Sequence, residues 1–236
     1  MNFSEQSKRK AVTFSYDDGV TQDIMLIQML NKYGLKGTFN ISSGLFGKND
    51  IYRNEAGTPI AAYKLHREDV KFVYEGHELA VHTLTHPNLT MRDNAEVIRQ
   101  VEQDRLNLSE IVGYEVVGMA YPCGGVNNND HVAELIKNNT GVKYSRTITD
   151  NFSFEPQTNL YRFNPTIHHI RQFDKLMELA EQFVAMEADT PQIFYIWGHS
   201  FEMDYIEDGW HKMEEFCKFI SNRSDIFYGT NAEVLL

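Results

Sequence analysis

The sequence AVTFSYDDG, at residues 11–19, is the clearest indicator of architecture in this chain. Its first six residues are mostly apolar, aromatic or β-branched, which is typical of a buried strand. Two aspartates and a glycine follow, so the strand ends at a turn. Asp17 and Asp18 therefore stand side by side at the carboxyl end of a strand. On its own, this motif fits a turn with a helix N-cap as well as it fits a reactive site.

Strand-like and helix-like segments alternate along the rest of the chain, which is the pattern of repeated βα units. We predict seven strands, at residues 11–16, 36–41, 78–81, 116–120, 142–147, 192–197 and 226–229. The predicted helices lie at residues 20–33, 66–75, 92–112, 130–138, 172–187 and 210–221. Residues 42–65 are polar and glycine-rich and are predicted to form a long loop. The pattern favours an α/β fold, a closed or nearly closed parallel barrel, as a single domain over residues 1–236.

Composition excludes several classes of function. The chain has 33 acidic and 22 basic residues, a formal net charge of -11, which argues against a nucleic-acid partner and favours a neutral or weakly charged substrate. Cys123 and Cys217 lie far apart, so they form neither a disulfide framework nor a CxxC metal site. The sequence contains no signal-peptide-like run and no stretch of about 18 apolar residues, and we therefore expect a cytoplasmic protein without a membrane partner.

Two histidines at ligand spacing follow the third predicted strand. His82 and His86 can face one metal ion if this segment takes a helical turn. Together with one of the carboxylates Asp17 and Asp18, they would leave open positions on a zinc-like ion, where the pKa of bound water falls to about 7. The other carboxylate would accept the proton of the water, and a separate acid must protonate the leaving nitrogen. His199, at the end of the strand QIFYIWG, is the candidate acid.

The loop AYPCGG, at residues 120–125, follows the fourth predicted strand. Its proline and glycines hold an extended conformation, and the backbone N–H of Cys123 could point at a developing oxyanion. We therefore predict that Tyr121, Pro122 and Cys123 contact the substrate, with Trp197 as an apolar wall. A tight turn without a catalytic role is the alternative.

Four motifs, in their order and spacing, resemble the polysaccharide deacetylases of carbohydrate esterase family 4. They are SYDDG at 15–19, HTLTHPNL at 82–89, AYPCGG at 120–125 and IWGHS at 196–200. The resemblance implies a distorted, TIM-like (β/α)7 barrel and a divalent metal held by an aspartate and two histidines. It also implies hydrolysis of N-acetyl (or O-acetyl) groups on N-acetylglucosamine polymers or related carbohydrate substrates.

The resemblance assigns a role to each candidate residue. Asp17 corresponds to the catalytic base and His199 to the general acid. Asp18, His82 and His86 correspond to the metal ligands. Zinc is the expected ion, with cobalt, nickel or manganese as alternatives, because such a ligand set accepts each of them.

The sequence departs from the family pattern at several positions. Ala120 stands where the family has an arginine that tethers the base, and Cys123 stands where a tyrosine is usual. An Asp-Trp motif of the family is not recognisable. Arg146 and Arg162 are the candidates for supplying the missing guanidinium.

Two other functions are compatible with these motifs. One is hydrolysis of a small cyclic amide or ureide, since relatives with the same barrel act on such substrates. The other is a catalytically silent carbohydrate-binding protein, which the retention of Asp17 and His199 disfavours. Residues 42–65 and the segment Tyr205 to Trp210 are the predicted substrate-contacting regions outside the motifs.

Overall fold

The computed structural model describes residues 8–53 and 57–236. The strands in these ranges are β1 Lys10–Asp17, β2 Gly37–Ile41, β3 Asn49–Arg53, β4 Pro59–Tyr63, β5 Glu78–Val81, β6 Gly118–Ala120, β7 Tyr144–Arg146, β8 Ile167–His168, β9 Gln192–Gly198 and β10 Ile226–Tyr228. The helices are α1 Asp23–Lys32, α2 Arg67–Val73, α3 Asn94–Val112, α4 Asp130–Asn139, α5 Phe173–Ala185, α6 Gly209–Ile220 and α7 Asn231–Leu235.

Seven parallel strands form the central sheet, in the order β7-β6-β5-β2-β1-β9-β8. A parallel bridge between Arg146 and Phe163 joins β7 to the chain just before β8, so the sheet curls round on itself. The result is the distorted (β/α)7 barrel that the family resemblance implies. Because the strands are parallel, their carboxyl ends meet at one rim, where the loops that follow them converge.

β1 lies at the centre of this sheet, and its side chains alternate between two environments. Phe14 packs edge-on against Phe216 of α6, outside the barrel. Its neighbour Ser15 instead bonds to Asn40 and Arg146 inside the barrel. Since side chains alternate along a strand, Asp17 shares the inner face with Ser15. The strand therefore aims one carboxylate into the barrel.

α3 shows why the helices form where the sequence predicts them. The side chain of Asp93 caps its first turn by accepting a hydrogen bond from the backbone N–H of Glu96, and Gly113 ends it in the left-handed conformation at φ 82°. Between these caps, Val97 and Val101 are buried at helical spacing. None of the helices in the two described ranges combines the length and the apolar character that crossing a bilayer requires.

The structure corrects three expectations about the elements. Residues 42–65 are not an irregular loop throughout, because β3 and β4 pair as an antiparallel hairpin; both strands are short and largely exposed, so their sequence lacks a clear pattern. β8 was not predicted, and it has only two residues. The predicted strand at 226–229 is real, but as β10 it pairs with β1 outside the seven-strand order.

Candidate active site

The two neighbouring aspartates after the first strand point in different directions. Asp17 is the last residue of β1, whereas Asp18 and Gly19 both have positive φ, at 87° and 64°. A side chain at Gly19 would meet Ile41 at 2.8 Å, so glycine is required at this close approach. The abrupt change of backbone conformation gives the two carboxylates separate partners.

Asp17 is buried and bound by two polar side chains. The Arg146 guanidinium donates from Nη2 to both carboxylate oxygens at 2.5 Å, and Asn40 donates from Nδ2 to Oδ1 at 2.9 Å. Burial raises the pKa of Asp17, but Arg146, His82 and His199 together lower it below its ordinary value. The carboxylate is therefore ionised at neutral pH and fixed in orientation.

The structure separates the two arginines considered for the missing guanidinium. Arg146 is fully buried at the end of β7, and its guanidinium lies 4.6 Å from the centre of the Trp197 ring. Arg162 instead donates to Asn128 and Asp130, at 2.9 and 2.6 Å, near the N-terminus of α4. Arg146 contacts Asp17 because β7 brings it to the same rim as β1; Arg162 does not contact Asp17.

Asp18, His82 and His86 converge as a group that could hold a metal ion. One ligand atom from each lies within 4.8 Å of the others, and His86 Nε2 is 3.7 Å from Asp18 Oδ1. His82 Nδ1 lies 2.9 Å from the carbonyl oxygen of Ala120, so the proton is on Nδ1 and the lone pair of Nε2 is available for a metal. Burial lowers the pKa of His82 to about 4, which keeps the ring in the neutral, ligating form.

The two histidines are brought together by an irregular turn rather than by the helical turn the spacing had suggested. Thr83 and His86 have positive φ, at 66° and 60°. Gln100 of α3 fixes the turn, because its backbone oxygen accepts from the N–H of Leu84 and its side-chain oxygen from the N–H of Thr85. The rings of His82 and His86 consequently lie with their centres 4.8 Å apart.

A buried lysine that the sequence did not reveal lies beside Asp18. Lys64 Nζ is 3.2 Å from Asp18 Oδ1, and both side chains are less than a tenth exposed. Burial raises the pKa of Asp18, but Lys64 and the nearby histidines outweigh this and hold it well below its ordinary value. Lys64 follows the hairpin directly in sequence, and only the pairing of the hairpin could have indicated its position.

His199 follows β9 and faces the same space. Its Nδ1 lies 3.3 Å from Glu202 Oε2, and its backbone N–H donates to the same oxygen at 3.1 Å. Burial lowers the pKa of His199, but the negative charges of Glu202, Asp18 and Asp17 outweigh this effect and raise the pKa to about 9. The imidazole is therefore protonated at neutral pH, as a proton donor must be.

Asn127, another residue that the sequence did not single out, shapes the loop after β6. Its side-chain amide donates to the carbonyl oxygens of Tyr121, Pro122 and Cys123, at 3.3, 3.0 and 2.8 Å. Cys123 has φ 69°, and its thiol lies 3.4 Å from the backbone oxygen of His86. This loop is therefore a compact turn, and its Cys123 contacts His86, one of the metal-ligand candidates.

These residues surround a cavity of about 250 Å³. It is lined by Asp17, Asp18, Tyr52, His82, His86, Tyr121, Cys123, Gly124, Ile148, Arg171, Trp197, His199 and Phe201. All the predicted site residues are among them except Pro122, which is buried, and the arginines 146 and 162. A larger open depression of about 550 Å³ lies between α4 and residues 158–161, and none of the predicted site residues is among its lining residues.

Only part of the predicted substrate-contacting regions reaches this cavity. Tyr52 of the hairpin forms one wall and stacks on Phe201, with ring centres 5.0 Å apart. The segment from Tyr205 to Trp210 is not among the lining residues. The hairpin therefore restricts the mouth of the cavity from one side.

Comparison with known proteins agrees with this combination of barrel and site. Residues 4–144 match the family model for polysaccharide deacetylases, so the match covers more than half of the chain. The chain belongs to the polysaccharide deacetylase family. No curated protein sequence matches it.

Solved structures share the fold at low sequence identity. A family 4 carbohydrate esterase from Streptomyces lividans, in complex with acetate, is 13% identical with a TM-score of 0.57, over 94% of this chain and 93% of that one. A mutant of a peptidoglycan deacetylase from Bacillus subtilis is 16% identical with a TM-score of 0.54, over 96% and 90%. A Streptococcus pyogenes deacetylase, in complex with acetate, is 21% identical with a TM-score of 0.51 over 64% of this chain, which covers only 61% of that protein.

Proposed function

We propose that this chain is a metal-dependent deacetylase that removes an acetyl group from nitrogen on a carbohydrate or small N-acylated substrate. The observation that carries the proposal is the convergence of Asp18, His82 and His86 beside Asp17 and His199 in one cavity. Membership of the polysaccharide deacetylase family supports the same chemistry. Acetate in two of the similar structures is consistent with it.

The residues present fit a divalent metal. The tautomer of His82 leaves its Nε2 free to ligate, and the carboxylate of Asp18 and the ring of His86 lie within reach. A divalent ion bound there supplies a water molecule with a pKa of about 7 and polarises the acyl oxygen. Zinc is the expected ion, and cobalt, nickel or manganese would suit the same ligands.

Asp17 has the position of the base. Its carboxylate accepts the proton that water loses as the water oxygen bonds to the acyl carbon. Arg146 and Asn40 hold the carboxylate in one orientation. This pre-set geometry matters because a base must lie within hydrogen-bond reach of the proton it removes.

His199 has the position of the acid. Its Nδ1 faces Glu202, which leaves Nε2 to donate a proton to the leaving nitrogen as the carbon–nitrogen bond breaks. The products are acetate and the free amine, and the proton that Asp17 takes balances the one that His199 gives once the site returns to its starting state.

Acetate release from N-acetylglucosamine oligomers tests this function. We expect release by the zinc-loaded wild type, and a loss of about 10²–10⁴-fold in Asp17→Asn, because general acid–base groups contribute that much. His82→Ala should lose both activity and metal. Arg162→Met is the matched control, because the Arg162 side chain donates to Asn128 and Asp130 and not to Asp17. This variant should retain the wild-type rate. Absence of release from wild type with metal bound would refute deacetylation of these glycans.

The size of the cavity favours one alternative substrate. A volume of about 250 Å³ walled by Tyr52 and Phe201 suits a small compound, including a cyclic amide or ureide. The same preparations should therefore be assayed for ring opening of cyclic amides. Ring opening without acetate release would establish this second function in place of the first.

A further inference from the structure

A second cluster of metal-type ligands lies behind His199, and the proposed reaction does not use it. His168 at the end of β8, His169 directly after it, and Glu202 are nearly fully buried, and one ligand atom from each lies within 4.8 Å of the others. Both imidazoles direct Nε2 at the same oxygen, Glu202 Oε2, at 2.9 and 3.0 Å. The three side chains could together bind a metal ion, or the two histidines could hold the Glu202 carboxylate in place.

The other nitrogen of each ring distinguishes these two roles. The Nδ1 of His168 faces the backbone N–H groups of Ile170 and Arg171, at 3.5 and 3.4 Å, and must accept. The Nδ1 of His169 lies 3.3 Å from the Tyr16 hydroxyl, whose other neighbour is Met213 Sδ at 3.7 Å. Because a thioether sulfur is a weak acceptor, we assign the hydroxyl proton to His169 Nδ1. A neutral imidazole that accepts at Nδ1 carries its proton on Nε2. Both rings therefore present an N–H, not a lone pair, to Glu202.

The first cluster has the opposite arrangement. His82 Nδ1 faces a carbonyl oxygen, so its Nε2 has the lone pair that a metal needs. Burial lowers the pKa of His168 to about 3 and also lowers that of His169, so both rings are neutral donors. Histidine thus presents a lone pair to the candidate metal position in the first cluster and an N–H to Glu202 in the second.

Glu202 is held from several sides. Its Oε2 also accepts from the backbone N–H of His199, and its Oε1 lies 3.3 Å from Arg171 Nη2. One oxygen cannot align with every donor around it, and His168 Nε2 and His199 Nδ1 approach without good hydrogen-bond alignment. Burial raises the pKa of Glu202, but the charge of His199 and the close approach of His168 and His169 hold it well below its ordinary value.

We propose that His168 and His169 are positioning residues that hold Glu202 as a buried anion against Nδ1 of His199, so that the His199 ring is fixed with Nε2 toward the substrate. This inference rests on the proposed role of His199 as proton donor. It explains why a two-residue strand is placed between β7 and β9, since β8 ends in one of the two donors and the other follows it directly.

Histidine tautomers in the wild-type protein provide the first test. Long-range ¹H–¹⁵N spectra of the metal-free chain should show His168 and His169 neutral, with the proton on Nε2. The zinc-loaded protein should contain one ion per chain, and His82→Ala should contain none. Protons on Nδ1 of both rings, or two ions per chain with one lost in Glu202→Gln, would assign the second cluster to a metal and overturn the proposal.

The second test follows the His199 ring in the metal-free Glu202→Gln variant, which keeps the shape of the side chain and removes its charge. The titration midpoint of His199 should fall by about 1–3 pH units, as expected on losing an adjacent charge. The matched control is Glu78→Gln, a buried carboxylate that bonds to Thr38 and Tyr144 elsewhere in the barrel, and it should leave the midpoint unchanged. An unchanged midpoint in Glu202→Gln would overturn the proposal.

Other charged groups also face His199, and the comparison must hold them constant. They are Asp17 at the end of β1, Asp18 after it, His86 after β5, His168 at the end of β8 and His169 after it. Both variants leave these residues intact, so a difference between Glu202→Gln and Glu78→Gln isolates Glu202. In the active enzyme, the alkaline limb of the pH profile should move in the same direction. The tautomers, metal content and midpoint require no turnover, so they remain decisive even if deacetylation is refuted.

Discussion

The base candidate depends on one buried guanidinium that comes from a distant strand. Arg146 spans Asp17, Ser15 and the Trp197 ring, so it fixes the carboxylate and the cavity wall together. Its guanidinium donates in three fixed directions, from Nε to Ser15, from Nη1 to the backbone oxygen of Thr147 and from Nη2 to both oxygens of Asp17. Lysine cannot supply this planar arrangement, because its ammonium is a point charge. The position of Arg146 therefore matters for geometry as well as for charge.

We predict that Arg146→Lys lowers kcat/KM by about 10²-fold, because the retained charge no longer fixes Asp17 and small misplacements of a reacting group have effects of that size. Zinc content should be unchanged, because the Arg146 side chain bonds to Asp17, Ser15 and Thr147 and not to Asp18, His82 or His86. Steady-state kinetics with metal analysis measures both. Arg162→Lys is the control, and a loss as large as that of Arg146→Lys would contradict the assignment.

Asp23 provides a pH-dependent prediction away from the reacting groups. It is fully buried in the first turn of α1 and accepts hydrogen bonds from the hydroxyls of Tyr74 and Ser200. Burial raises the pKa of Asp23 to about 7, above the value of about 3.9 in an unfolded chain. A carboxyl with a raised pKa favours the folded state at low pH, and this contribution is lost as pH rises from about 4 through about 7.

As the pH rises from 5 to 8, we therefore expect the free energy of unfolding of wild type to fall relative to that of Asp23→Asn. The expected difference is roughly 2–3 kcal/mol, at about 1.4 kcal/mol per unit of pKa difference. Urea unfolding at the two pH values measures the change. Asp69→Asn, at an exposed position of α2, should show no such gain. Equal pH dependence in wild type and Asp23→Asn would contradict a raised pKa.

Among the elements, the β3–β4 hairpin controls access to the cavity. Ile60 and Ala62 of β4 pack with Val20 and Phe201, which attaches the hairpin to the rim of the barrel. Tyr52 of β3 then stacks on Phe201 over the mouth. The hairpin is thus an additional wall above a barrel that is otherwise built from βα units.

We predict that Tyr52→Ala raises KM for a monosaccharide-sized substrate severalfold and changes kcat little, because it removes an aromatic contact worth about 0.5–1.5 kcal/mol without touching the reacting groups. Tyr63→Ala is the matched control, since Tyr63 lies on the same hairpin but is not among the residues lining the cavity. Kinetics on substrates of increasing chain length measures the effect. A fall in kcat with unchanged KM would show that the hairpin acts on the chemistry instead.

The elements show which features sequence patterns can reveal. β1 is a continuous buried run that ends at a recognisable turn, so its position and its carboxylates were predictable. β8 has two residues and gives no periodicity, β3 is almost wholly exposed, and β4 alternates in burial over only five residues. Local patterns predict elements that are long or fully buried, whereas short pieces form because of the partners around them.

The candidate site follows the same division. His82 and His86 were found from their spacing and the preceding strand, although the turn between them is not helical. Arg146 and Arg162 could not be distinguished in the sequence, because only the register of β7 against its neighbours shows which one reaches Asp17. Lys64 gave no signal at all, since its pairing with Asp18 depends on where the hairpin folds back.

For the whole molecule, metal binding should be visible as stability. An ion that binds only the folded chain stabilises it by about 2.7 kcal/mol at a concentration of 100 times Kd. In a chain of this length, we expect Tm to rise by about 5–10 °C on adding zinc. His82→Ala should show no rise, and His131→Ala, at an exposed position of α4, should rise like wild type. A rise in His82→Ala equal to wild type would place the ion elsewhere.

The neighbours of β1 affect how the molecule is made. Its first residues pair with β10, at Lys10 and Ile226, and residues 10–16 pair with β9, so two of its three partner strands are synthesised long after β1 itself. At about 5–20 residues per second, roughly 10–40 s pass between the synthesis of β1 and the synthesis of these two strands. During that interval the nascent chain exposes the strand that ends at Asp17. Chaperone binding to the growing polypeptide should therefore concentrate around β1.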